Sequence, residues 1–190
     1  MTEIEENARK RKRTSRSTSG RAPSARARAA EPDIVQRTRG GTLLVVEVKH
    51  SKAAGEWRNY LTAFLKSSAT HQINEIRKGL PARKLIGAAE AMGVPRERFY
   101  NIVGLSASTA KRKLLKNETL DPVVTERLTL VGAIDRLAED VFGGPELASE
   151  WLQTRNTGLG DVTPLSMLDT EIGRREVSRI LNAIAYGGAA

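Results

Sequence analysis

Apolar positions along this chain follow two different periods. Between 42 and 48 they run almost without a break, Thr42-Leu43-Leu44-Val45-Val46-Glu47-Val48, a strongly β-prone stretch. Arg39-Gly40-Gly41 supplies a turn before it, so residues 33–49 are expected to form a hairpin. From Trp57 the period changes. Trp57, Tyr60, Leu61, Phe64, Leu65, Gln72 and Ile76 fall near helical spacing and predict one helix of about twenty residues. Beyond Pro81 the pattern is helical throughout. Its breaks fall at Gly93-Val94-Pro95, at Gly104, from Asn117 to Asp121, at Gly143-Gly144 and from Asn156 to Thr163. A mainly α fold follows, with the hairpin as its one β element.

The segment from Arg96 to Lys116 divides into a short helix, a turn at Gly104 and a second helix. Phe99 and Val103 give the first helix an inward face, and Leu105 follows the turn. Ser106 suits an N-cap that accepts from the Ser108 or Thr109 amide. Ala107, Ala110 and Leu114 then form one face, with Ser108, Thr109, Arg112, Lys113 and Lys116 on or near the other. This arrangement meets the needs of a helix-turn-helix. Short polar side chains at the start of the second helix face base edges, and long cations further along face phosphates. The DNA-facing set is Ser106, Ser108, Thr109, Lys111, Arg112 and Lys113, with Arg112 also able to read a guanine. Two residues depart from the usual pattern. Bulky Tyr100 replaces a small residue, and Lys113 replaces an apolar one. A plain helical hairpin with a solvated basic face is the competing reading.

Asp121-Pro122 starts the next helix with an aspartate cap and a proline at the first helical position. Val124, Leu128, Val131, Ile134 or Asp135, Ala138, Val141 and Phe142 trace its buried stripe, with Glu126, Asp135, Glu139 and Asp140 expected outside and Gly143 ending it. After a helix around Trp151 and a turn-rich loop, Asp169 is expected to cap a last helix. Ile172, Val177, Ile180, Leu181 and Ile184 would face inward.

Charge changes this picture by dividing it. Residues 9–30 hold nine bases and no acid, and residues 77–116 hold ten bases and two acids. Residues 117–176 reverse the sign, with five bases and twelve acids. A basic helical segment followed by an acidic one implies two unlike partners, the first a polyanion. Residues 1–40 carry too few large aliphatics to offset the entropy of ordering, so residues 1–32 read as a disordered basic tail. Its Arg9-Lys10-Arg11-Lys12-Arg13 cluster either grips phosphates or only solubilises. The chain has no cysteine, which removes disulfides, thiolate metal sites and cysteine nucleophiles and suits a reducing cytoplasm. No apolar run is long enough to cross a membrane. No metal or other cofactor is expected.

The end of the chain carries a further pattern. Asn156, Gly160, Pro164, Asp169, Thr170, Gly173, Tyr186 and Gly187 stand in an order that resembles the toxin-binding region of Xre/MbcA/ParS-type antitoxins, the partners of RES-domain toxins. With the preceding helices the resemblance covers about 110 residues, and Thr157 stands where that loop would carry proline. It implies a helix-turn-helix domain followed by a small helical toxin-binding domain. RES-type toxins act on NAD, by degrading it or by using it for ADP-ribosylation. An acidic antitoxin surface could cover their electropositive pocket. The toxin-binding candidates are Trp151, Asn156, Leu159, Gly160, Pro164, Leu165, Asp169, Tyr186 and Gly187. The resemblance implies that the loop from Asn156 to Thr163 and the tail from Tyr186 to Ala190 are the inhibitory parts. Trp151, Leu165, Leu168, Val177 and Leu181 also serve as core.

Pro32-Asp33 and Glu47-Val48-Lys49 spell the pattern of PD-(D/E)xK nucleases, in which two carboxylates hold a metal and the lysine stabilises phosphate charge. Three residues of common types match often by chance, and a solvated hairpin accounts for them. The expected organisation is a tail (1–32), a hairpin plus helix (33–79), a helix-turn-helix region (80–120) and a helical toxin-binding region (121–190). Such a chain would be a non-enzymatic, cytoplasmic antitoxin. It would bind its cognate RES-domain toxin and, as a homodimer, its own operator DNA. The alternative is a stand-alone regulator whose C-terminal helices only dimerise.

Overall fold

A computed structural model describes residues 51 to 187. The expected hairpin at 33–49, the basic tail and the last three residues lie outside the described residues, as do Asp33, Glu47 and Lys49. Among the described residues the fold is helical: α1 (Lys52–Lys66), α2 (Ala69–Lys78), α3 (Lys84–Ala91), α4 (Arg96–Ile102), α5 (Ala107–Leu115), α6 (Pro122–Phe142), α7 (Pro145–Gln153), a 3-10 turn (Thr157–Leu159), α8 (Pro164–Met167) and α9 (Glu171–Tyr186). The breaks read from glycine and proline beyond position 81 coincide with the gaps between these helices. No helix among the described residues is long and apolar enough to cross a membrane.

The helix expected across 57–76 is two helices. Ser67 and Ser68 divide it, because their side chains offer the backbone local hydrogen bonds that compete with the helix. The Ser67 hydroxyl donates to the Phe64 carbonyl at 2.7 Å, and Ser68 caps α2 by accepting from the His71 amide at 3.3 Å. Gln72 holds the corner by donating to the Phe64 and Ser67 carbonyls, at 3.1 Å each.

Helix α6 runs through the middle of the fold, packed against α1, α2, α3, α7 and α9. Trp57 of α1 is fully buried between two glycines. A Cβ on Gly132 of α6 would lie 2.7 Å from the Trp57 ring, and one on Gly87 of α3 would overlap the Ala53 carbonyl. Helices α1 and α3 therefore approach at near-backbone distance while α6 closes directly on the Trp57 ring, and one apolar core extends from Ala54 in α1 to Leu181 in α9. Buried hydroxyls fix the registers. Thr125 accepts from the Leu80 amide at 3.1 Å, and Ser149 of α7 donates to the Met92 carbonyl at 2.7 Å. A short antiparallel pairing adds to this, with Leu120 donating to the Leu80 carbonyl at 2.7 Å and Ala82 to the Glu118 carbonyl at 3.0 Å.

Two carboxylates expected outside on α6 are inside. Asp135 and Glu139 are buried because α6 is covered on several sides, so one apolar stripe does not describe it. Glu139 accepts from Arg58 Nε at 2.9 Å and Arg136 Nη1 at 3.2 Å, and Arg58 also donates to the Ala91 carbonyl at 2.7 Å. Glu126 and Asp140 are exposed as expected. In α9, Gly173 takes the inward position beside Val177, Ile180 and Leu181. Ile172, about 100° around the helix, is 66% exposed. Ile184 in the last turn is exposed as well. Thr170 rather than Asp169 caps α9, accepting from the Gly173 amide at 3.0 Å.

Burial pushes the Asp135 carboxyl up to about 7, and the neighbouring Glu139 adds to the rise, while Arg58 and Arg136 oppose it. The folded carboxyl thus keeps its proton through a range in which the unfolded one, near 3.8, has lost it. This contribution is fully present below the lower value and declines as pH rises through about 7. Asp135→Asn is expected to match wild type near about pH 4 and to exceed it at about pH 8 by about 2–4 kcal/mol. Thermal melts at the two pH values measure this. A variant less stable than wild type at the higher pH would mean that the arginines stabilise an ionised Asp135.

Candidate functional site

The basic site is built on the α4–turn–α5 unit. Val103 and Leu105 are buried on either side of Gly104, which anchors the turn, and the Leu105 amide donates to the Tyr100 carbonyl at 2.8 Å. Ser106 caps α5 by accepting from the Thr109 amide at 3.2 Å. Its hydroxyl donates to Thr109 Oγ1 at 2.9 Å and lies 3.0 Å from Ser108 Oγ. Ala110 is buried, Ala107 and Leu114 are half-buried, and Ser106, Ser108, Lys111 and Arg112 are exposed on the outward face. Thr109 is half-buried. Tyr100, the bulky departure on α4, fits within the core, where burial pushes its phenol up.

The cations of α5 have partners. Lys111 Nζ lies 3.0 Å from Glu97 of α4, and Arg112 Nη1 donates to both Glu118 oxygens, at 2.9 and 3.1 Å. Lys113 differs from both. Its side chain is only 15% exposed, and its ammonium donates to the Thr119 carbonyl at 2.9 Å. It occupies the position where such helices usually pack an apolar residue and ties α5 to the 117–121 loop. An exposed ion pair contributes about 0.2–1 kcal/mol, and a bidentate arginine–guanine contact about 1–3 kcal/mol. Arg112 can therefore exchange Glu118 for a base at a net gain, whereas Lys113 would have to leave a half-buried seat.

The second site is built on α7, the following loop, α8 and α9. Asn156 organises the loop. Its Oδ1 accepts from the Gly158 amide at 2.8 Å, and its own amide donates to the Val162 carbonyl at 3.0 Å. Its carbonyl accepts from the Leu159 and Asp161 amides, at 3.1 and 3.0 Å. Gly160 and Asp161 both take left-handed backbone, with φ of 76° and 62°. Arg155 donates to the Asp161 carbonyl at 3.1 Å across the loop base. The loop lies against α9 near Ile180.

The nine residues expected to meet a partner here divide in two. Pro164 and Leu165 are buried, Leu159 is half-buried against the core, and the half-buried Trp151 ring sits 5.4 Å from that of Phe142. Half-buried Asn156 shapes the loop, and Gly187 ends α9 in the left-handed region with φ 67°. Gly160, Asp169 and Tyr186 are exposed, with Tyr186 at 86%. The exposed apolar residues that sequence reading missed are Leu147, Val162, Ile172 and Ile184. Both isoleucines fit a helical stripe by spacing, so periodicity alone placed them inside. Among the described residues no group of three or more His, Asp or Glu is placed to hold a metal.

Comparisons with known proteins agree with this two-part arrangement. Residues 71–132 match the antitoxin Xre-like helix-turn-helix domain, and residues 137–187 match the antitoxin Xre/MbcA/ParS C-terminal toxin-binding domain. The chain is similar to the Prs ADP-ribosylating antitoxin of Sphingobium sp. (strain YBL2), at 31% identity over 137 residues, covering 67% of this chain and 86% of that protein. It is also similar to antitoxin Xre of Yersinia enterocolitica, at 25% identity with 64% and 82% covered. Antitoxin Xre of Photorhabdus laumondii is 26% identical, with 69% and 88% covered.

Burial separates the two kinds of residue in the C-terminal site by stability. Leu165→Ala should cost about 2–5 kcal/mol, while Tyr186→Ala should stay within about 0.5 kcal/mol of wild type. Urea denaturation of both variants measures this. A comparable loss at Tyr186 would place its ring in the core instead of on the surface.

Proposed function

This chain belongs to the Xre/MbcA/ParS antitoxins, and from that premise we propose that it neutralises a RES-type, NAD-consuming toxin and represses its own operon. The carrying observation is the pairing, on one core, of a basic helix-turn-helix with an acidic region whose loop and last helix present Asp161, Val162, Asp169, Ile172 and Tyr186 outward. The name of the Sphingobium relative links that protein to ADP-ribosylation, a reaction that consumes NAD. A toxin pocket for the dinucleotide's phosphates must be electropositive. The 156–163 loop and the 186–190 tail cover that pocket with acidic and apolar groups and exclude NAD.

Residues 80–120 supply the DNA contacts, as a homodimer that engages paired half-sites. Residues 121–190 supply the toxin contacts, with Gly160, Asp169 and Tyr186 meeting the toxin directly and Trp151, Asn156, Leu159, Pro164, Leu165 and Gly187 shaping that surface. Ser106, Ser108, Thr109, Lys111 and Arg112 face DNA, and Lys113 supports them by holding the loop that follows. The protein performs no reaction itself and works in the cytoplasm, where operator and toxin both reside. Exposed Ile172 and Ile184 also suit a helix–helix contact. A stand-alone regulator that dimerises there is therefore the second reading.

Co-expression with the protein encoded beside it separates the two. A stable complex that inhibits NAD turnover is expected, and deletion of residues 186–190 should restore part of that turnover. Unchanged inhibition would remove the tail from the mechanism, and failure to form a complex would favour the second reading. On the DNA side, Arg112→Ala should weaken operator binding by about 1–3 kcal/mol, measured by fluorescence anisotropy at moderate salt. Unchanged affinity would mean that α5 is not the reading helix.

A further inference from the structure

We infer that Arg127, in the first half of α6, is a backbone-phosphate contact for DNA, laid across the helix-turn-helix turn in space left open by Gly104. The inference rests on the DNA-binding reading given above and adds a residue that lies outside the recognition helix. Gly104 is exposed and takes φ 79°, a conformation that already favours glycine. It has a second reason to lack a side chain. A Cβ there would overlap Nη1 of Arg127 and come within 3.2 Å of its Cζ and 3.7 Å of its Cδ. The guanidinium and part of its stem therefore rest on the exposed turn joining α4 to α5.

The charge on Arg127 is unanswered. Among the described residues no carboxylate or carbonyl pairs with it, although its side chain is half-buried. The cations of α5 contrast with this, since Lys111, Arg112 and Lys113 are each engaged. A half-buried cation without a counter-charge leaves its donors free for an anion, and the planar fork of arginine suits a phosphate oxygen pair. Gly104 precedes the Ser106 cap by two residues, a span of at most about 7 Å. Arg127 therefore sits beside the end of α5 expected to enter the groove, and helix-turn-helix proteins anchor themselves through phosphates flanking that helix. The residue lies in the stretch of chain whose net charge is acidic, so partition of charge along the sequence assigns it to the wrong partner.

The test uses the full chain and two fluorescent duplexes of about 30 base pairs, one taken from immediately upstream of its own reading frame and one scrambled. Affinities are measured from about 50 to about 200 mM salt. Arg127→Gln should weaken binding to both duplexes and lower the slope of log affinity against log salt by about 1. Its loss of affinity across that range should then be about three- to fourfold smaller than that of wild type. Arg127→Lys, which keeps the charge, should keep the slope. Circular dichroism and toxin neutralisation should be the same for all three proteins. A wild-type slope in Arg127→Gln would overturn the inference while leaving the DNA reading intact. Equal slope loss in Arg127→Lys and Arg127→Gln would overturn it too, because the guanidinium would then act through the fold. A wild type with no salt-dependent binding to either duplex would overturn both readings together.

Discussion

The burial of α6 on several sides is the constraint from which the rest of the structure follows. Trp57 can sit between α3 and α6 only because Gly87 and Gly132 carry no side chain. The same helix must then satisfy polar groups that its covered surface encloses, and Thr125, Thr129, Asp135 and Glu139 are those groups. Arg58 of α1 links Glu139 to the end of α3 through the Ala91 carbonyl. Helix α6 packs against α2 and α3 and against α7 and α9, and its Arg127 side chain meets the Gly104 turn between α4 and α5. The two regions therefore share one helix and are not joined by a linker. Buried polar clusters of this kind contribute little net stability, but removing one member leaves an uncompensated charge. That asymmetry makes the α1–α6 junction intolerant of partial change.

The basic face depends on interactions of modest size. Glu97 and Glu118 hold Lys111 and Arg112 in the absence of DNA, and such exposed pairs contribute too little to resist a better acceptor. They order long side chains that would otherwise lose more entropy on binding. Lys113 is held more firmly, since its stem is packed and its ammonium meets a backbone carbonyl. A run of three cations in sequence thus becomes two charges in exposed ion pairs and one structural tie. Availability of charge is set by what each side chain already touches.

The C-terminal region shows the same separation. Leu165 and Pro164 are there to seat α8, and Asn156 is there to close a loop through three backbone hydrogen bonds and one to its side-chain oxygen. What this region exposes is small: two left-handed loop residues, Asp169, a few aliphatics and Tyr186 near the end of α9. Membership of the antitoxin family accounts for the order of these residues along the chain. Their distribution between core and surface is a separate matter, governed by packing against α6 and α7.

The sequence by itself determined the helical class, the positions of most breaks, the Ser106 and Asp121 caps, the helix-turn-helix and the resemblance at the chain's end. Each of these rests on local rules, namely a period of 3.6, a capping side chain or a glycine or proline at a fixed position. Tertiary structure alone decided which faces were buried. Asp135 and Glu139 went inside because α6 is surrounded, and Ile172 came out because Gly173 took the position facing α8. The division at Ser67-Ser68 came from side-chain hydrogen bonds that periodicity does not register. Arg127 reached the turn at Gly104 from the acidic stretch of the chain only through the packing of α6. Local sequence encodes where helices begin and end, whereas the environment of each side chain is a property of the neighbours that folding brings to it.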